Sequence, residues 1–93
     1  MSTAGSWHFN RKRLAEVLSR WMATGPEQVT RTAVNDALMD LLADPLSWGL
    51  EDPQEPGVYH RQVMTETGVR VAFLYAMPDP ASGEVGIADI RTV

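Results

Sequence analysis

No cysteine occurs among the 93 residues, which removes a disulfide framework, a thiolate nucleophile and every Cys-based metal site from consideration. Long apolar runs are missing too. None approaches the ~18 residues that a membrane-spanning helix requires, and the opening Met-Ser-Thr-Ala-Gly-Ser has no basic stretch followed by an apolar one. The expectation is a cytoplasmic protein without a membrane anchor. There is no Gly-rich phosphate loop and no Gly-x-Ser-x-Gly elbow, so neither a nucleotide cradle nor a serine-hydrolase nucleophile is indicated. Lysine is nearly absent, with Lys12 alone, and the net charge of −4 disfavours non-specific coating of nucleic acid, which depends on neutralising phosphates.

The charge that is present is segregated. Residues 1–35 carry Arg11, Lys12, Arg13, Arg20 and Arg31 against Glu16 and Glu27, whereas residues 36–57 carry Asp36, Asp40, Asp44, Glu51, Asp52 and Glu55 with no base. Asp36, Asp40 and Asp44 fall at i, i+4 and i+8, an acidic stripe on one helix face that reads as solvated surface. No histidine or carboxylate spacing stands out as a metal site, and no cofactor is expected.

Two helices followed by a meander emerge from the apolar spacing. Ser6-Trp7-His8-Phe9 suits a short first strand, and the first five residues are expected to be disordered. Asn10 is a good N-cap for a helix whose stripe is Leu14, Val17, Leu18, Trp21 and Met22. After Gly25, Pro26 suits the first turn of a second helix capped by Thr24 or Gly25, with Val29, Ala33, Val34, Ala37, Leu38, Leu41 and Leu42 on its apolar face. A link so short makes the helices fold back as a hairpin. Pro45 to Gly57 holds three prolines and no period, and reads as an ordered or semi-ordered loop pinned to the core by Leu46, Trp48 and Leu50. Val58 to Met64, Val69 to Met77 and Glu84 to Val93 then form a three-stranded meander. One domain follows, an α+β fold in which the hairpin packs on one face of a small, mainly antiparallel sheet.

Each meander strand carries one arginine: Arg61, Arg70 and Arg91. These are candidate cations for stabilising charge on a phosphate, with Tyr75, Tyr59 and His60 as candidate proton-transfer or stacking groups. Convergence depends on the first hairpin. A two- or four-residue loop puts Arg61 and Arg70 on one face, while a three-residue Glu66-Thr67-Gly68 loop with a bulge separates them. The bland alternatives are solvated strand arginines and a core Tyr75, since Tyr75 alternates with Val69, Val71 and Phe73. Trp48, in a Pro-bounded loop beside acidic residues, is either core cover or an exposed anchor for a partner.

The β-α-α-β-β-β order, together with Leu-Leu-Ala-Asp-Pro-Leu-Ser-Trp-Gly at 41–49, Gly-Val-Tyr-His-Arg at 57–61 and Thr-Gly-Val-Arg-Val-Ala-Phe-Leu-Tyr at 67–75, resembles the RelE/ParE toxin superfamily. The resemblance covers nearly the whole chain. It implies a toxin-like component of a toxin–antitoxin pair, with a small antitoxin as partner. Some members cut messenger RNA at the ribosome without a metal, and others poison DNA gyrase. On the first of these, the resemblance implies catalytic roles for Arg61, Arg70, Arg91 and Tyr75. The competing class is a non-catalytic protein–protein interaction module on the same fold, because fold alone does not decide function.

Overall fold

The computed structural model describes residues 7–93; the expected disorder of residues 1–5, and Ser6 of the expected first strand, lie outside that range. Asn10 caps helix α1 (Arg11–Met22) as its spacing predicts, its side-chain oxygen accepting from the Arg13 amide at 3.0 Å. Val17 and Trp21 are the buried members of the stripe, while Leu14 and Leu18 pack half-buried at its margin. The Trp21 indole N–H donates to the Thr92 hydroxyl at 3.0 Å, which ties α1 to the last strand.

Helix α2 (Gln28–Ala43) begins later than the position of Pro26 suggests. Thr24 does not cap it, because its hydroxyl donates to the Trp21 carbonyl at 2.6 Å and so closes α1 instead. Glu27 stands at the cap position without a side-chain bond. Thr30, Val34, Ala37, Leu38 and Leu41 form the buried side of α2.

The segment after α2 corrects the expectation of a loop. Pro45 opens a single turn, α3 (Pro45–Trp48), in which the Trp48 amide donates to the Asp44 carbonyl at 3.0 Å. A two-residue strand, β2 (Leu50–Glu51), follows and pairs with β3. Leu46 and Leu50 do not pin this segment, being 49% and 73% exposed; Pro45 and Trp48 do. Proline and tryptophan reach the core because the turn directs them there, and a lack of periodicity does not report on one turn.

Five strands form a mixed sheet in the order β1-β5-β4-β3-β2. β1 (His8–Phe9) runs parallel to β5 (Glu84–Thr92), and the pairs made by β2, β3 (Val58–Met64), β4 (Arg70–Ala76) and β5 are antiparallel. An irregularity between Leu74 and Tyr75 shifts the β4–β5 register, so that Leu74 faces Asp89 and Tyr75 faces Ile87. Val71, Phe73, Tyr75, Val85, Ile87 and Ile90 then share one cluster with Val17, Trp21, Val34, Leu38 and Leu41. Both long helices therefore cover the same sheet face. The alternate positions of β3 and β4 belong to the other face, which no helix covers among the described residues.

Candidate functional site

Tyr75 sits where the α3 turn meets the sheet. Its hydroxyl donates to the Pro45 carbonyl at 2.7 Å and accepts from the Gly49 amide at 2.9 Å. Its ring stacks on Tyr59, with centroids 5.4 Å apart and planes 17° off parallel, and Trp48 closes over it at 6.0 Å. Burial pushes the hydroxyl from its ordinary 10.0 up to about 12, the bond from Gly49 and the charge of Arg61 offsetting only part of that rise. Such a phenol, with both its proton and a lone pair engaged by backbone, is neither a base nor a free acid near neutral pH. The geometry gives Tyr75 a structural task, holding the turn that follows α2 against the sheet. Gly49 is part of the same arrangement. A Cβ there would lie 2.7 Å from the Tyr75 hydroxyl oxygen.

Arg61 lies on the helix-covered side of the sheet, opposite Phe73 in the ladder. Its guanidinium stacks over Trp48 at 4.6 Å from the ring centroid and donates to the Trp48 carbonyl at 3.0 Å. Trp48 in turn meets Phe73 edge-on at 5.4 Å. A column of Arg61, Trp48 and Phe73 thus runs from solvent to core. Trp48 is half-buried, core cover roofed by an arginine.

Arg70 and Arg91 are on the opposite face. The Thr65 amide donates to the Val69 carbonyl at 2.8 Å and the Gly68 amide to the Thr65 carbonyl at 3.0 Å, which makes the connection the three-residue Glu66-Thr67-Gly68 loop, with Gly68 at φ 83°. That loop sets Arg70 against Met64 and leaves Arg61 on the other side. Arg91 pairs with Ala72, so its Cα stands roughly 8 Å from that of Arg70 by strand spacing and rise. Arg91 meets Asp89 at 3.5 Å, the only ion pair among the described residues. His60, opposite Leu74, is on this face too, four residues along the ladder from Arg70. The four candidate catalytic residues are therefore divided: Arg70 and Arg91 on the uncovered face, Arg61 and Tyr75 on the helix-covered face, where Tyr75 is buried and Arg61 stays exposed.

The uncovered face has a second property that alternation counts missed. Antiparallel sheets with one solvated face usually alternate apolar and polar residues, yet the outward positions of β4 after Arg70 are Ala72, Leu74 and Ala76. Their ladder neighbours include Val58 against Ala76, while Leu50 joins His60 in the row of Leu74. Leu50 and Leu74 are 73% and 37% exposed. The signal was legible as a run, since Val71 to Met77 contains no charged residue. Among the described residues, no three His, Asp or Glu side chains converge where a metal could sit.

No family model, curated protein or solved structure matches this chain.

Proposed function

We propose that this protein is a partner-binding module that receives another protein on the uncovered face of its sheet, in the manner of one member of a toxin–antitoxin pair. The observation that carries it is the apolar strip of Leu50, Val58, Ala72, Leu74 and Ala76 on a face that no helix covers among the described residues. Exposed apolar patches rimmed by polar residues mark docking sites, and here Arg70, Arg91, Gln62 and Asp89 form the rim. The antitoxin-like partner follows from the RelE/ParE resemblance. Action without catalysis is supported by the division of the arginines and by the engaged hydroxyl of Tyr75.

A second reading draws on a separate observation. Arg70 and Arg91 share the uncovered face with His60, two cations and an imidazole, the residue types that metal-independent cleavage of messenger RNA at the ribosome draws on. One experiment separates the two. The protein is expressed alone and together with the product of any short neighbouring gene. Docking on the sheet predicts a co-purifying complex that Leu74→Glu disrupts at unchanged melting temperature. Growth arrest that is lost in Arg70→Ala/Arg91→Ala, with cleaved transcripts in the wild type, would favour the nuclease. Equal co-purification of the wild type and Leu74→Glu removes the sheet face from the proposal.

A further inference from the structure

The edge of β3 is unfinished. β2 pairs with Tyr59 and His60 and goes no further, so the outer side of Arg61–Met64 has no strand beside it among the described residues. Register shows which groups this leaves. Gly57 and Thr65 bond inward to the β4 side, through Met77 N–H to Gly57 C=O at 3.2 Å and Thr65 N–H to Val69 C=O at 2.8 Å, which turns the backbone of the even residues outward. At Val58 that outward carbonyl is used, accepting from Asp52 at 2.7 Å. At Gln62 and Met64, both N–H and C=O face out with no backbone partner among the described residues.

Beside that edge lies a cleft of about 240 Å³ between β3 and α2, lined by Ala33, Asp36, Ala37, Asp40, Val63 and Met64, and bounded at one end by Trp48 and Arg61. A strand added to β3 would place alternate side chains on the two sheet faces. Those opposite Arg61 and Val63 would enter the cleft, toward Asp36 and Asp40. Neither carboxylate makes an ion pair among the described residues. Asp44 follows them at the same four-residue spacing, and Arg61 is the one base on the cleft wall.

We infer that the β3 edge takes up an extended segment of another polypeptide carrying lysine or arginine at alternate positions, its backbone completing the ladder at Gln62 and Met64 and its cations lying between Asp36 and Asp40. Backbone pairing supplies affinity and the cleft supplies selection. A second copy of this chain is disfavoured at the same edge, because antiparallel pairing of two β3 strands brings two acidic α2 stripes to one side of the joined sheet. The inference does not rest on docking at the uncovered sheet face.

The test is a titration of the full chain with acetyl-Val-Lys-Val-Lys-Val-Lys-Val-amide, followed by amide hydrogen exchange. The Gln62 and Met64 amides should exchange freely alone and become protected with about 1 mM peptide, a concentration suited to a contact of only four residues. Asp36→Asn/Asp40→Asn should bind roughly tenfold more weakly, and raised salt should act in the same direction. Gln62→Pro, which removes an outward N–H without touching the ladder to β4, should not bind. Unchanged exchange at Gln62 and Met64 at that peptide concentration would overturn the inference. So would equal binding of the Glu-for-Lys peptide, or protection that rises with protein concentration alone and so reveals a second copy at the edge.

Discussion

Removing one oxygen atom from Tyr75 should cost this protein a large part of its stability. Tyr75→Phe keeps the ring, its stacking on Tyr59 and its packing under Trp48, but leaves the Pro45 carbonyl and the Gly49 amide without their partner. Pro45 is buried, so its carbonyl incurs most of the desolvation penalty; Gly49 is half-buried, and water can replace part of its loss. At about 1–3 kcal/mol for a fully stranded group and less for one that water reaches, the total is about 2–3 kcal/mol. Domains of this size lose roughly 4–8 °C of melting temperature per kcal/mol, so the midpoint should fall by about 10–20 °C. Circular dichroism at pH 7, with urea unfolding to check that the m-value is unchanged, measures this. Gly49→Ala is the companion variant. The backbone there, at φ −108° and ψ 177°, suits any residue, so the new Cβ is opposed by its neighbours, the nearest being the Tyr75 hydroxyl oxygen at 2.7 Å. Gly49→Ala should therefore cost less in the Tyr75→Phe background than in the wild type. A midpoint for Tyr75→Phe within about 2 °C of wild type, less than half the shift expected for 1 kcal/mol, would refute the anchoring role.

Two further outcomes follow from the same core. Because the Tyr75 proton is held more tightly in the folded chain, with the hydroxyl at about 12 against an ordinary 10.0, its contribution is intact below about pH 10 and is lost as pH rises toward 12. Denaturant midpoints across that window should decline more steeply for the wild type than for Tyr75→Phe, and parallel declines would contradict the assignment. Leu41→Ala, at a position with no exposed surface between α2 and the sheet, should destabilise by about 2–5 kcal/mol in chemical unfolding; a loss under 1 kcal/mol would mean that the site collapses around the smaller side chain.

Much of the architecture was legible because its causes are local. Asn10 before an i, i+3, i+4 stripe, and three Val- and aromatic-rich runs separated by turn residues, place α1, α2 and the meander within a few residues of where they stand. The turn at Pro45–Trp48 and the short strand at Leu50–Glu51 are not legible, for the opposite reason. The turn is held to the sheet by the hydroxyl of Tyr75, 30 residues beyond Pro45 and 26 beyond Gly49, and no property of the segment itself reports that contact.

The sequence by itself determined an α+β domain without disulfides, the acidic stripe of α2 and one arginine on each long strand, since composition and periodicity need no partner to be read. Only the tertiary structure decided which of those arginines can act together. A strand's side chains alternate every residue, so the choice of a three-residue loop after Thr65, resolved by two hydrogen bonds, puts Arg61 on the helix-covered face over Trp48 and leaves Arg70 with Arg91 on the other. The unpaired edge at Gln62 and Met64 has the same origin: an edge exists only once the strand order is set, and that order is a property of contacts far apart in the chain.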